Sequence, residues 1–588
     1  MIKKLKVFKI SAIAMMFSLS SMTAISAPVV TQTEAAAQAA ARYDSSKDIF
    51  HPVFGQNGMV ATEQALATQV GLDILKQGGN AVDAAVAVGF ALAVVLPNAG
   101  NIGGGGFMVL HDGKTGENFA IDFREVAPLK ATRDMYLDQD GNVINGKSLY
   151  THLAVGVPGT VAGMEYALKK WGTLPLEQVV QPAIKLAEEG FNVSDVLGKM
   201  LQEERENLAK WQSTKAIFFK GDAPLSAGDL LVQKDLANSL KQIAQQGAKA
   251  FYEGEIAQKI VAEMEKHGGL ISLEDMKSYQ AVERQPIKGT YRGYEIVTMP
   301  PPSSGGIHLV QILNMLERYP LQQYGSNSAK TIHYLAESMK LAYADRSEYL
   351  GDPDFVKIPV KGLTSKKYAD ELAQGIKEEV ARAASEIKPG KPQPYESDQT
   401  THYSIMDKDG NAVAVTYTIN MNFGSGIVAD GTGILLNNEM DDFSAKPGVA
   451  NAFGLVGGEA NAVEAKKRPL SSMTPTLVLK DERPWLATGS PGGSRIITTV
   501  LQSILNIVDH QMNPAEAIVT PRVHHQWLPD ELRIEEGLSP DTLELLKNKG
   551  HKISEKAAMG RVQIILSEKD GFYGYSDPRN PDGKTLGF

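Results

Sequence analysis

Gln399-Thr400-Thr401-His402-Tyr403-Ser404 joins two kinds of sequence. Before it runs a polar stretch, residues 384–399, with prolines at Pro389, Pro392 and Pro394; after it the residues alternate as in a strand. A threonine hydroxyl is a weak nucleophile and needs a base. One solution is self-cleavage that leaves the threonine at the head of a new chain. Its own α-amine, with an ordinary pKa of ~7.7–8.0, then helps to take the hydroxyl proton. This chemistry needs Thr, Ser or Cys at the junction of an exposed linker and a buried strand, and Thr400 has both flanks. On local pattern alone Thr400 also reads as an ordinary residue opening a strand. A second feature is Gly492-Gly493, within Thr488 to Arg495, between an apolar strand and a helix. Two glycine N–H groups at a helix start are good donors to a developing oxyanion, although a plain strand–helix turn has the same appearance.

Other motifs do not survive a check of their surroundings. Gly141 to Ser148 matches the phosphate-loop pattern GxxxxGK[ST] literally. That loop needs an apolar strand before it and a helix after it. Here Met135 to Asp140 precedes it and Gly156, Pro158 and Gly159 soon follow, so it reads as a surface turn. Gly103 to Gly106 reads as a tight turn where backbones approach closely, which is compatible with lining a pocket. His524-His525 are neighbours, and on a strand they point to opposite faces, which rarely serves one metal. The eleven histidines show no HExxH spacing, and no GxSxG elbow occurs. With no cysteine, disulfides, a Cys nucleophile, Cys-ligated zinc and Cys-held iron–sulfur clusters are excluded.

The elements that must hold these residues follow from periodicity. Thr62 caps a helical pattern to Lys76, stopped by Gly78-Gly79. Ala81 to Leu96 is apolar except for Asp83 and reads as a buried helix ended by Pro97. Phe107 to His111 and Asn118 to Phe123 read as strands. Pro158 to Met276 is mainly helical, including a charged helix from Val196 to Trp211. Tyr294 to Thr298 is a strand that runs into an irregular loop, Pro300 to Gly306. Ile307 to Tyr319 and Ser328 to Tyr349 are helices. Thr401 to Met406 and Asn411 to Ile419, joined by Asp409-Gly410, form a hairpin. Strands are expected at Gly433 to Leu436, Thr476 to Leu479, Trp485 to Thr488 and Val562 to Leu566, and helices at Arg495 to Asp509 and Pro540 to Lys549. The texture is helices outside and strands inside.

The chain has 588 residues, 43% hydrophobic and 22% charged, as in ordinary globular proteins. A net charge of -9 argues against a nucleic-acid partner held by a basic surface. Residues 1–27 read as a secretory signal: a basic start with Lys3, Lys4, Lys6 and Lys9, an apolar run from Ile10 to Met22, and small residues at Ala24 to Ala27. That run is shorter than the ~20 residues a membrane span needs. The periplasm is the expected address, with residues 28–47 expected to be disordered.

Taken jointly, Asp122-Phe123-Arg124-Glu125, Pro300 to Gly306, Thr400 to Ser404, Asn437 to Ser444, Arg468 to Met473 and Gly489 to Arg495 resemble the bacterial γ-glutamyltranspeptidases (glutathione hydrolases) of the N-terminal-nucleophile hydrolase superfamily. The resemblance runs from about Asp48 to Phe588. It implies an α/β fold, a four-layer αββα sandwich, in a precursor that cuts itself between Gln399 and Thr400. A large subunit, 48–399, and a small one, 400–588, would be two halves of one fold. By this resemblance Thr400 attacks the γ-amide and forms a γ-glutamyl ester, which passes to water or to an amino-acid or peptide amine. Gly492 and Gly493 hold the oxyanion, and Thr418 contacts the Thr400 amine. Arg124, with Ser471 and Ser472, binds the substrate α-carboxylate, while Glu439 and Asp442, with Asn420 beside them, bind the α-ammonium. No metal or organic cofactor is implied.

Two positions depart from close bacterial relatives in this reading. Glu439 stands where some have Gln, adding negative charge near the ammonium. Phe453, in the lid-like loop Pro447 to Gly458, stands where a Tyr is usual, so a hydrogen bond from the gate is missing and a more mobile lid is expected. Two alternatives remain: an acylase acting on a glutaryl-type side chain, and a non-catalytic periplasmic binding protein that kept the pocket.

Overall fold

Every residue of the strands Thr401–Asp407 and Ala412–Thr418 is buried. A strand apolar on both faces must lie in a sheet covered on both sides, and the computed structural model supplies that cover. It describes residues 43–391, 401–452 and 454–588. The two strands pair antiparallel, Tyr403 opposite Val415, around a turn in which Gly410 takes φ +87°.

They are the middle of a seven-stranded sheet. Its order is Lys584–Gly587, Gly58–Thr62, Thr401–Asp407, Ala412–Thr418, Gly105–Asp112, Glu117–Asp122 and Val282–Arg284. A second seven-stranded sheet runs Val53–Gly55, Gly571–Ser576, Gln563–Glu568, Arg483–Gly489, Thr476–Lys480, Tyr294–Thr298 and Ile287–Tyr291. Between them lie Met59, Phe107, Val109, Met406, Val297, Leu477 and Ile565, all buried. The outer face of the first sheet packs on the helix Ala81–Val95 and its neighbours, and that of the second on Gly305–Leu316, Ala329–Tyr349 and Ile496–Val508. This is the four-layer αββα sandwich. The first sheet takes three strands from after residue 400 and four from before it, with Gly58–Thr62 held between Lys584–Gly587 and Thr401–Asp407, so the two sides of that position share one core.

The all-buried helix Ala81–Val95 tolerates Asp83 because its carboxylate is consumed locally. Asp83 accepts from the Asn80 N–H at the helix start and from Thr173 N, Thr173 Oγ1 and Leu174 N. Several boundaries differ from the sequence expectation. Thr62 ends a strand, and its hydroxyl bonds Gln64 O and the Thr68 hydroxyl; the helix Ala65–Lys76 is capped by Gln64 instead. The charged stretch from Val196 breaks at Glu204 into Asp195–Glu203 and Arg205–Leu208. The helix expected from Ile307 already starts at Gly305, because Gly305 and Gly306 are both buried against Thr474 and Met299. Tyr43 to Lys47, the end of the segment expected to be disordered, makes a turn, with Tyr43 Oη 2.9 Å from His51 Nδ1. Residues 1–27 and 28–42 lie outside the described residues. Among the described residues no helix is long and apolar enough to cross a membrane.

Candidate active site

The glycine run at 103–106 is where three pieces of chain meet. A Cβ on Gly104 would lie 2.0 Å from the Thr418 carbonyl oxygen, and one on Gly103 2.1 Å from that of Leu435. Only glycine permits that approach. It brings the strand Gly105–Asp112 flush against Ala412–Thr418, with Thr418 opposite Gly105 and Tyr417 opposite Thr401. Thr418 closes its strand, and its Oγ1 accepts from Asn420 N at 2.7 Å. Asn420 takes φ +74°, a left-handed conformation that Asn tolerates better than most residues. Its Nδ2 donates to Asn438 O at 3.0 Å, and Asn438 N donates to Ile419 O.

Thr401, Thr418, Asn420, Gly492 and Gly493 line one cavity of about 330 Å³. Gly492, at φ +136°, and Gly493, at φ +68°, form the sharp bend between the strand Arg483–Gly489 and the helix Ile496–Val508. A Cβ-bearing residue at either would be strained. Glu63, Arg495 and Arg561 also line the cavity. Buried Glu63 accepts from the Thr401 hydroxyl at 2.6 Å and lies 3.4 Å from Arg561. Burial pushes its pKa up, and the Arg561 charge and the Thr401 bond pull it partly back.

One residue beyond Asn438 begins the short turn Glu439–Asp442. Buried Asn437 fixes its start: Asn437 Oδ1 accepts from Gly156 N and Glu439 N, and its Nδ2 donates to Gly103 O and Gly156 O. The turn faces Arg124, which follows the strand Glu117–Asp122. The Arg124 side chain is fully buried and pairs with Glu439 and, at 2.5 Å, with Asp442. Its remaining N–H groups reach Pro469 O at 3.1 Å and Leu470 O at 3.0 Å, which ties the segment carrying Ser471 and Ser472 to the same point. Ser471 is held by its backbone, donating to Pro302 O and accepting from Ser304 N. The Ser472 hydroxyl is buried and has no hydrogen-bond partner among the described residues.

Three buried carboxyl groups therefore surround one guanidinium, because Glu125 lies 3.7 Å from Arg124 as well. Burial pushes Glu439 well above the usual carboxylate range, and the Arg124 charge only partly offsets this. Burial pushes Glu125 up to about 7. Burial also works against the charge on Arg124, yet the surrounding carboxylates more than compensate and hold it protonated. Glu439, Asp442 and Glu125 thus make this point of the structure rich in acid.

A second cavity, of about 220 Å³, lies between Val143–Leu149, the loop residues Val449–Ala452 and Leu455–Gly457, and Asp442 and Leu470. Ser148 of the phosphate-loop look-alike donates to Asp441 there at 2.6 Å, and no strand precedes it. His524 and His525 diverge, the first to Thr498 and Gln526, the second to Asp530. Gln399, Thr400 and Phe453 lie outside the described residues. Sequence reasoning missed Glu63, Glu125 and Asn437 as site residues. Glu125 adjoins Arg124 and Asn437 opens a motif already singled out, whereas nothing local marks Glu63.

The sequence model described as Gamma-glutamyltranspeptidase matches residues 67–587. The chain belongs to that family. It is 59% identical to the glutathione hydrolase proenzyme of Escherichia coli (strain K12) over 579 residues, 98% of each chain. It is 40% identical to the acylase ACY 1 proenzyme of Pseudomonas sp. (strain V22), covering 91% of this chain and 92% of the relative. Among solved structures, a cephalosporin acylase from Bacillus halodurans superposes with TM-score 0.82 at 30% identity, covering 93% of this chain and 99% of the other. The γ-glutamyltranspeptidase of Helicobacter pylori matches with TM-score 0.55 at 54% identity, covering 55% of this chain and 93% of that one. Relatives named as proenzymes thus lie on both the hydrolase and the acylase side.

Proposed function

We propose that the chain is an autoprocessed γ-glutamyltransferase and glutathione hydrolase whose nucleophile is Thr400. The single observation that carries the substrate assignment is the buried cluster of Arg124, Glu439, Asp442 and Glu125 beside the cavity of Thr401, Thr418, Gly492 and Gly493. A γ-glutamyl head group brings one carboxylate and one ammonium. Arg124 suits the carboxylate through its planar fork, and the Ser472 hydroxyl is a donor available to it. The acids Glu439 and Asp442 suit the ammonium by charge. A glutaryl group brings no ammonium for them to pair. The acylase reading, favoured by the superposition on cephalosporin acylase, is weaker for this reason.

In this mechanism cleavage between Gln399 and Thr400 frees an α-amine that takes the Thr400 hydroxyl proton. Thr418, next to the Tyr417 that pairs with Thr401, holds that amine. The oxygen attacks the γ-carbonyl, and the N–H groups of Gly492 and Gly493 receive the oxyanion. The tetrahedral intermediate expels the amine leaving group, protonated by the Thr400 amine. The γ-glutamyl ester is then opened by water or by an amino-acid or peptide amine through the same steps. Subunits 48–399 and 400–588 stay together because they share one sheet and one core, and export to the periplasm follows from residues 1–27. The test compares kcat/KM for a γ-glutamyl anilide and a glutaryl anilide. A clear preference for the first supports the assignment; equal rates, or a preference for glutaryl, reject it.

A further inference from the structure

On the outer helical layer a set of side chains converges that the proposed mechanism does not use. Among the described residues, two groups of three histidine or acidic side chains place ligand atoms within 4.8 Å of one another. One, His333–Glu337–His551, is fully buried, and its carboxylate already pairs with Lys340 and Arg382. Its position for a cation is taken. The other is His152–Glu263–His267. Glu263 Oε1 lies 2.9 Å from His152 Nε2 and 3.5 Å from His267 Nε2, and among the described residues no lysine or arginine is paired to it.

We infer that His152, Glu263 and His267 form a site for a zinc-class divalent cation. Two imidazole nitrogens and one carboxylate are a donor set that such ions favour. The ligands of a tetrahedral ion at ~2.0–2.1 Å stand a little over 3 Å apart, and the separations of 2.9 and 3.5 Å about Glu263 bracket that spacing, so only a small adjustment is needed. His267, which is one-third exposed, has the most room to adjust. The two rings stack with their centroids 4.7 Å apart. Glu263 and His267 share one helix face at a spacing of four, in the last turn of Glu255–His267, where the helix dipole favours a cation. Burial holds the His152 pKa down, which keeps its imidazole neutral and able to ligate. Trp211 meets both rings edge-on, at 4.8 and 5.6 Å, and walls one side.

The third ligand comes from a different element. His152 opens the turn His152–Ala154, and Gly156 just beyond it is bonded to Asn437. A bound cation would clip the end of the helix to the segment that braces the Glu439 turn.

The test uses the full processed protein, without a histidine tag, and Zn²⁺ alone. Calorimetry should show one saturable equivalent, and His267→Ala should weaken it at least ~100-fold, no less than loss of an outer-shell partner typically costs. Because His267 lies at a helix end, this variant should keep its fold, checked by its Tm without metal. Glu263→Gln should weaken binding as well. Cu²⁺ should quench the Trp211 emission, identified as the part lost in Trp211→Phe, and His267→Ala should abolish that quenching. No saturable binding, or binding and quenching unchanged by His267→Ala, would overturn the inference.

Discussion

Replacing Arg124 by Lys keeps the charge and removes the fork. The guanidinium spends its donors on Glu439, Asp442, Pro469 O and Leu470 O from one rigid plane. An ammonium offers three donors from a single point, too few to hold the two backbone carbonyls and also grip a substrate carboxylate at two oxygens, which the five N–H groups of a guanidinium can do once the substrate takes over donors now on the acids. A hydrogen bond to a charged group contributes about 1.5–3 kcal/mol. Losing one of the two to the substrate carboxylate should therefore lower kcat/KM by about 10- to 150-fold. The assay compares a γ-glutamyl anilide with a 4-aminobutyryl anilide, which lacks only the α-carboxylate. In the wild type the first should be far the better substrate. In Arg124→Lys the first should fall by that factor and the second by much less, so that the ratio collapses. Processing into two fragments and a measured Tm control for damage to the fold, since two backbone carbonyls also lose partners. If both substrates fall equally, or neither falls, Arg124 does not bind that carboxylate and the assignment of the cluster fails.

Three further outcomes follow from the same geometry. Glu439→Gln removes one acid from the cluster, so KM for γ-glutamyl anilide should rise while the slow rate with glutaryl anilide stays level or improves; an unchanged KM would remove Glu439 from ammonium binding. Glu125 has a pKa raised from 4.5 to about 7 on folding, so its burial costs stability that grows as pH climbs through that window and is complete above it. Glu125→Gln should accordingly raise the Tm at pH 8 relative to wild type and lose that advantage near pH 4.5, as thermal melts across pH would show; a constant offset would contradict it. Gly104→Ala places a methyl 2.0 Å from Thr418 O and should prevent maturation or lower the Tm by several degrees, whereas Ala at Gly116, where φ is +75° but nothing lies within 4 Å, should cost about 1 kcal/mol and leave activity intact.

What could be read before the structure divides along physical lines. The helix Ala81–Val95 and the hairpin around Gly410 were legible because burial on all sides, or strict alternation, leaves its mark on consecutive residues. The sandwich itself was reached through resemblance, since Gly58–Thr62 and Lys584–Gly587 pair across more than five hundred residues and no local pattern reports it. Arg124, Glu439 and Asp442 were all named, but as two separate contacts to a substrate. Their direct pairing depends on burial, which the sequence does not display. Glu63 reaches Thr401 from the end of a strand 338 positions away and carries no local signal. The N-terminus of the helix from Ala65 was misplaced because Thr62 is a good capping residue that a strand claims first. The His152–Glu263–His267 group was invisible for a related reason: only two of its members share a helix, and the third arrives through the tertiary fold.

The central claim is that Thr400 becomes reactive when its own backbone nitrogen is freed. The direct measurement is N-terminal sequencing of the purified protein, alongside its rate on a γ-glutamyl anilide. The account predicts a fragment that begins at Thr400, activity that appears in step with it, and neither in Thr400→Ala. Full hydrolysis by a chain still unbroken between Gln399 and Thr400 would contradict it.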